Sequence, residues 1–138
     1  MEFSVNYLAV LVAGIASMVF GMIWYAPAVF GKNWMAWSGL TEQKMAELKA
    51  RGMGKFYFIA FLGSLVMAYV LAHFVQVWNA AGIGGAWKLA FWVWLGFVAT
   101  VMLGPVLWEG KSVKLYFLNA IYQLLNIFVM ALILVYWL

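Results

Sequence analysis

Four long apolar segments limit the folds that this chain can adopt. A helix needs roughly 20 residues, at about 1.5 Å each, to cross a hydrocarbon core about 30 Å thick. Only 9% of the 138 residues are charged, whereas about a quarter of the residues in soluble domains are charged. The sequence therefore predicts an all-α protein, an integral membrane four-helix bundle that forms one transmembrane domain over residues 1–138. Its helices are expected at approximately 5–26, 56–78, 86–108 and 115–138.

Lysine and arginine are distributed unevenly among the segments that connect these helices. Lys88, near the start of the third predicted helix, is the one basic residue on the opposite side, and all the others lie in the first and third connections. By the positive-inside rule, this asymmetry predicts that those two connections face the cytoplasm and that both termini lie on the non-cytoplasmic side. We also expect the first connection to contact anionic lipid headgroups, while its charges are too sparse to indicate nucleic acid. The basic residues of the two connections are Lys32, Lys44, Lys49, Arg51, Lys55, Lys111 and Lys114.

The stretch WYAPAVFGKNW, residues 24–34, ends the first apolar segment and begins the basic connection. Trp24 and Tyr25 lie where aromatic side chains mark a membrane interface, and Pro27 ends a helix because it has no amide hydrogen. Trp34 extends the aromatic character beyond the proline. We interpret this stretch as an interfacial anchor on the cytoplasmic surface.

Residues 41–51 predict a short amphipathic helix within the first connection. Thr41 is suited to an N-cap, Glu42 to the positive end of the helix dipole, and Gly52 to the end of a helix. Such a helix is expected to lie on the inner leaflet. Docking to a partner protein and an ordinary solvated connection are alternatives that the sequence leaves open.

Small residues recur at every fourth position on three of the predicted helices. Stripes of this kind let two helix backbones approach closely, so they predict tight packing. A stripe that is not used within the chain predicts association with a second copy. The first stripe consists of Ala9, Ala13, Ser17 and Gly21, the second of Ala60, Ser64, Ala68 and Ala72, and the third of Gly96, Thr100 and Gly104.

Polar side chains are few within the apolar segments and fall mainly on two helix faces. Because an unpaired polar group is costly in hydrocarbon, both faces are expected to point inward. They predict either a set of interhelical hydrogen bonds or a narrow polar pocket. The residues are Tyr69, His73 and Gln76 on the second helix, Trp92 on the third, and Asn119, Gln123 and Asn126 on the fourth.

Pro105 creates a specific need for a hydrogen-bond donor in the third helix. Proline has no amide hydrogen, so the carbonyl of Val101 loses its helical partner. Asn119 and Gln123 lie at a similar depth in the fourth helix. We therefore expect one of these amides to bond to Val101 and to dock the fourth helix on the kinked third helix.

The composition excludes most kinds of enzyme and metal site. The chain has no cysteine and no aspartate, it has a single histidine, and its glutamates lie at or outside the predicted membrane boundary. One histidine cannot form a mononuclear zinc site or a serine-type triad. We predict no enzymatic activity, no metal and no cofactor. The lack of an acidic group within the helices also argues against a proton-coupled exporter.

The N-terminal pattern resembles a known family. Residues 24–34, with the pattern WY-x-P-x-x-FGK-x-W, and the following SGLT are similar to the bacterial membrane family known as domain of unknown function 1761. The resemblance extends over essentially the whole chain, although the distinctive motifs lie in the first forty residues. It implies a small four-helix membrane protein with no settled activity and no catalytic residues to carry over. The matching residues are Trp24, Tyr25, Pro27, Phe30, Gly31, Lys32 and Trp34.

These observations favour a non-enzymatic protein of the bacterial inner (cytoplasmic) membrane. We expect an oligomeric or accessory helix-packing module, present as a homo-oligomer or in a larger membrane complex. The alternative is a small-solute transporter or permease that works as an oligomer, because a Pro kink and an inward amide stripe suit a transport pathway. A solvated cavity near Tyr69 and Asn126 would favour transport, whereas dry burial of both side chains would favour assembly.

Overall fold

A computed structural model describes residues 4–137, and most of these residues are helical. Four helical stretches are long and apolar enough to cross a membrane, judged by length and composition: Tyr7–Trp24, Gly54–Val77, Gly82–Trp108 and Val113–Trp137. The prediction of an all-α chain with four such helices is confirmed. The α-helices are α1 (Tyr7–Trp24), α2 (Lys32–Ser38), α3 (Glu42–Ala50), α4 (Gly54–Val77), α5 (Gly82–Trp94), α6 (Gly104–Trp108) and α7 (Val113–Trp137).

The third long helix begins at Gly82, earlier than the expected start at residue 86. The glycines of this region permit a tight turn, and the helix continues through them. Asn79 has a positive φ of 53°, and Gly85 lies so close to the preceding turn that an added Cβ would be 3.2 Å from the carbonyl carbon of Ala80. Glycine therefore allows close packing here and does not end the helix.

The central helix is α7, which packs against α1, α4 and α5. Its buried side chains meet small residues from the other helices, such as Ala13 of α1, Ala72 of α4 and Ala90 of α5. Small residues let helix backbones come close together, and larger side chains of α7 fill the remaining space. The largest fully buried side chains are Leu89, Ile127, Met130 and Leu134.

The first stripe of small residues lies inside the molecule. Ala9, Ala13 and Ser17 are buried, and the Ser17 hydroxyl lies 3.4 Å from the hydroxyl of Ser64 on α4. The second stripe is divided along its length, because Ala68 and Ala72 are buried while Ala60 is exposed. The interface between α1 and α4 is therefore built mainly from small side chains.

The third stripe lies on the outside of the chain. Gly96 and Thr100 are exposed, and a Cβ added at Gly96 or Gly104 would meet no other heavy atom within 4 Å. This stripe therefore does not pack against another helix within residues 4–137.

The third long helix changes its winding between α5 and α6. A π-helical turn covers Leu95–Ala99 and a short 3₁₀ turn covers Val101–Leu103. In this tighter turn the amide of Gly104 donates to the carbonyl of Val101, so that carbonyl is paired within its own helix. The expectation that Asn119 or Gln123 would supply the donor is wrong, because the local winding satisfies Val101 first.

Two side-chain donors nevertheless join the third long helix to α7. The Tyr116 hydroxyl donates to the carbonyl oxygen of Ala99 at 2.8 Å, and Trp94 Nε1 donates to the carbonyl oxygen of Ala120 at 2.7 Å. Ala99 needs this donor because Leu103, its partner in a regular α-helix, donates to Thr100 instead. The change of winding therefore moves the unpaired carbonyl from Val101 to Ala99.

The connections over residues 25–53 and 109–112 lie at one end of the four long helices, here called the basic end. The Thr41 side chain accepts a hydrogen bond from the amide of Lys44, and Gly52, two residues after the end of α3, has a φ of +86°. Helix α3 has no buried residue. The sequence did not predict α2, because Pro27 ends α1 but also starts a π-helical turn that continues into α2.

Candidate functional site

Aromatic side chains gather where the end of α1 meets α7. Tyr122 lies in the middle, with its ring centroid 5.1 Å from that of Tyr25 and 5.4 Å from that of Phe20. Gly21 makes room for it, since a Cβ there would lie 2.8 Å from the Tyr122 hydroxyl oxygen. This aromatic cluster consists of Phe20, Trp24, Tyr25, Phe30, Trp34 and Tyr122.

The backbone after α1 folds back in a π-helical turn over Pro27–Gly31. The amide of Gly31 donates to the carbonyl of Ala26 at 2.9 Å, which closes the turn. Gly31 is buried, and a Cβ there would meet the carbonyl oxygen of Tyr25 and the carbonyl carbon of Ala26. Only a hydrogen fits at this position. The turn brings Phe30 onto Trp24, with ring centroids 4.5 Å apart.

One short hydrogen bond links this turn to α7. The Tyr25 hydroxyl donates to Asn119 Oδ1 at 2.6 Å. Burial, with a smaller contribution from Tyr122, raises the pKa of Tyr25 well above its ordinary range. A tyrosine hydroxyl is protonated at neutral pH even at its ordinary pKa, and the raised pKa keeps Tyr25 a donor in alkaline solution as well.

Two cavities lie on either side of this hydrogen bond. The first cavity, of about 550 Å³, lies between α1 and α4, and Tyr25 is part of its wall. The second cavity, of about 400 Å³, lies between α2, the third long helix and the start of α7, and Asn119 is part of its wall. Polar residues of the first cavity are Ser17, Tyr25, Tyr57, Ser64 and Tyr122. Polar residues of the second are Trp34, Ser38, Lys111, Ser112, Tyr116 and Asn119.

The motif of residues 24–34 therefore does more than lie along a surface. Trp24 and Tyr25 pack on α7, Pro27 lines the first cavity and Trp34 lines the second. Lys32 is exposed at the start of α2. Tertiary packing against α7 accounts for most of the motif, a role that the interfacial interpretation did not include.

The polar face of α4 points away from the predicted pocket. Tyr69 is 41% exposed and stacks on Tyr7, with ring centroids 6.4 Å apart, and His73 lies edge-on against it at 4.7 Å. Gln76 Nε2 donates to the carbonyl of Ser4 at 2.5 Å. The buried face of α4 is displaced by one residue, or about 100°. That face consists of Ala68, Leu71, Ala72 and Val75.

The other four polar residues also fail to form one pocket. Trp92 is 55% exposed on α5, and Asn119 is bonded to Tyr25. Asn126 is buried, with 4% exposed, and Gln123 is partly buried. The amide residues of α7 thus point inward as expected, but Tyr69, His73 and Trp92 do not join them. Apolar packing of α4 decided which of its faces is buried.

A family model described as a protein of unknown function, DUF1761, matches residues 8–135. The chain belongs to the DUF1761 family. No curated protein matches the chain, and no solved structure does. The matched range of this DUF1761 chain includes the aromatic cluster and both cavities.

Three buried polar atoms of this DUF1761 chain have no hydrogen-bond partner within residues 4–137. They are Trp24 Nε1, Gln123 Oε1 and Asn126 Oδ1. An unsatisfied buried group costs about 1–3 kcal/mol, so these atoms are places where a water or a polar ligand would be stabilised. Trp24 belongs to the aromatic cluster, and the two oxygens belong to amide side chains of α7.

Sequence reasoning missed the aromatic residues of α7 that organise the DUF1761 site. Tyr116, together with Trp94 of α5, joins α7 to the third long helix, the docking that was predicted for the amides Asn119 and Gln123, and Tyr122 packs α7 on the end of α1. The sequence did contain a signal for the contact of Tyr122 with α1. Tyr122 is next to Gln123 in the predicted fourth helix, and Gly21, which has no side chain, leaves room for its ring. Over residues 4–137, no group of three His, Cys, Asp or Glu side chains is arranged to hold a metal ion.

Proposed function

We propose that this DUF1761 protein is a non-enzymatic, multi-pass protein of the bacterial inner membrane that self-associates through its third long helix. Both termini lie on the non-cytoplasmic side in this proposal, and the basic end faces the cytoplasm and its anionic lipids. The distribution of lysine and arginine supports that orientation. The module acts by packing helices, alone or within a larger membrane complex.

Exposed apolar surface supports membrane embedding. Large apolar side chains lie on the outside of the helices, with Phe97 71% exposed and Val101 72% exposed. A contiguous apolar surface of this kind would cause aggregation in water, whereas lipid solvates it.

The open third stripe is the observation on which self-association rests. Gly96 and Gly104 have no neighbour within 4 Å of an added Cβ, and the Thr100 hydroxyl donates to the carbonyl of Gly96 at 2.8 Å. Because that hydroxyl already has an acceptor, the stripe needs no polar partner. A second copy can place the same stripe against it, since a two-fold interface joins identical surfaces.

The interior around Asn126 supports packing over transport. Asn126 is followed on α7 by buried Ile127, Met130 and Leu134, which pack with Leu71 of α4 in the apolar core. Tyr69 lies on the outer face of α4 and not beside Asn126. Such an interior suits helix association better than the passage of a polar solute.

Disulfide cross-linking tests the self-association directly. The chain has no native cysteine, so Gly96→Cys provides a single reactive group on the open stripe. We expect Gly96→Cys to form covalent dimers when native membranes are oxidised. Gly63→Cys is the matched control, because Gly63 is equally open but lies on α4. Equal cross-linking of both variants, or none for Gly96→Cys, would refute the proposed interface.

A transporter or permease is the second candidate, and one observation favours it. Gln123 Oε1 and Asn126 Oδ1 are buried acceptors without a donor in residues 4–137. A hydrogen-bonding solute at this depth would satisfy both. Modification of Asn126→Cys in membranes by a small water-soluble thiol reagent, with Ala131→Cys unmodified, would favour this candidate. Protection of both cysteines would favour the packing module.

A further inference from the structure

The second cavity combines a cationic rim with an apolar wall. Lys111 and Ser112 lie in the connection at the basic end, where the cavity reaches the ends of the helices. The Ser112 hydroxyl oxygen accepts from the amide of Leu115 at 3.4 Å, which leaves its hydrogen available for another acceptor. An ammonium group and a hydroxyl hydrogen are both donors, so this rim is suited to an anionic oxygen.

The rest of the wall is mostly apolar. Met102 and Val106 of the third long helix face Leu115 of α7 across the cavity. On α7, the Tyr116 hydroxyl donates to the carbonyl of Ala99 and Asn119 Oδ1 accepts from Tyr25, while Asn119 Nδ2 keeps its hydrogens. The lining is therefore charged at the rim and mostly apolar beyond it, with Trp34, Ser38 and the Asn119 amide as its further polar groups. This arrangement suits a ligand with an anionic head and a hydrocarbon tail.

Nearby charge adds to the preference for an anion. Lys114 lies at the same end, with its ammonium nitrogen 5.9 Å from the ring centroid of Trp37, and Lys32 is exposed at the start of α2. Glu109 lies in sequence between the wall residues Val106 and Lys111 and is exposed, but it is not part of the wall. Lys111 is the charged residue of the wall itself.

We infer that the second cavity binds an anionic phospholipid. The phosphate accepts hydrogen bonds from the Lys111 ammonium and the Ser112 hydroxyl, and an acyl chain lies along Met102, Val106 and Leu115. The inference rests on the proposed membrane embedding, which brings lipid to the cavity from the inner leaflet. A volume of about 400 Å³ falls within the range of about 300–1,000 Å³ that ligand pockets occupy.

A free phosphate ion is a poorer fit for the same rim. Soluble phosphate would find one lysine in the wall and would leave the apolar surface of Met102, Val106 and Leu115 without a partner. A phospholipid covers that surface with its acyl chain. Both ligands would place a phosphate on Lys111, but only the phospholipid also has a hydrocarbon tail.

Native mass spectrometry of the detergent-purified full chain tests this site. The probes are phosphatidylglycerol, zwitterionic phosphatidylcholine and inorganic phosphate. We expect retention of one phosphatidylglycerol, no comparable retention of phosphatidylcholine, and no displacement by inorganic phosphate. Lys111→Gln should weaken phosphatidylglycerol binding by about fivefold, as expected for one lysine at a membrane surface.

Lys49→Gln is the matched control, because Lys49 is exposed on α3 outside the cavity. Val106→Trp keeps the charge but fills the apolar part, and it should also reduce retention while leaving the helical circular dichroism unchanged. If Lys111→Gln and Lys49→Gln lost the same amount of phosphatidylglycerol, the lipid would be attracted by overall charge, and the site would be overturned. Displacement by inorganic phosphate, or full retention in Val106→Trp, would overturn the lipid assignment.

A different experiment tests the membrane proposal. If alkaline carbonate extracts the unmodified chain from membranes, before any lipid is added, the membrane proposal fails. A chain that stays in the membrane but binds no phosphatidylglycerol contradicts only the lipid site.

Discussion

A hydrogen atom is the whole side chain of Gly31, and it lies against the carbonyl group of Tyr25. The sequence marked Gly31 only as one letter of a motif. Its physical role follows from the π-helical turn, which places backbone where a Cβ would have to be. Sequence reasoning placed Trp24 and Tyr25 correctly at the end of α1, but it could not show that α7 supplies their partner Tyr122. That contact joins residues almost a hundred positions apart and has no local pattern.

Gly31→Ala is expected to destabilise the protein by about 1–3 kcal/mol, because overpacking forces the backbone to move. Gly63→Ala is the control, since a Cβ there enters open space on α4. Thermal unfolding in a fixed detergent, followed by circular dichroism, measures the difference. If both variants unfold at the same temperature, the close contact at Gly31 does not limit stability.

The third long helix shows what happens when one proline removes an amide donor. Pro105 predicted both an interruption and an unpaired carbonyl, and the interruption is present. The identity of that carbonyl could not be predicted, because it depends on whether the helix tightens or widens around the proline. Here a π-helical turn precedes a 3₁₀ turn, so Ala99 is left unpaired and Tyr116 bonds to it.

Tyr116→Phe removes this donor and keeps the ring. The carbonyl of Ala99 then lacks its partner, and we expect a loss of about 1–3 kcal/mol in the free energy of unfolding. Tyr136→Phe, at an exposed position of the same helix, is expected to have no effect. Chemical or thermal unfolding of the two variants in one detergent compares them. An unchanged free energy of unfolding for Tyr116→Phe would show that the carbonyl of Ala99 finds another donor.

The whole molecule was predictable at the level of four apolar helices, because hydrophobic length alone requires them. The face that each helix buries was less predictable. For α4, a rule that polar residues point inward chose the face of Tyr69 and His73, whereas small residues at Ala68 and Ala72 packed more closely against the other helices. Shape complementarity outweighed polarity there, and a single sequence does not reveal the shape of the opposing helix.

The proposed sidedness of the chain rests on its basic end and can be measured in intact cells. We expect Ser4→Cys to react with a membrane-impermeant maleimide added from outside, because Ser4 is exposed at the end of the molecule opposite the basic end. Lys44→Cys, on α3 at the basic end, should react only after the membrane is opened. The reversed labelling pattern would contradict the proposed orientation and with it the placement of the lipid site.

The position of α7 in the chain has a consequence for biogenesis. A ribosome completes α1, α4 and α5 before it makes the helix on which all three pack. Although α1 and α4 contact each other directly, α5 has little to bind until α7 emerges. In the proposed membrane location, the nascent protein would therefore hold its third long helix apart in the bilayer, or beside an insertion factor, until synthesis reaches the final helix. Folding would then be largely post-insertional, with the third long helix undocked longest.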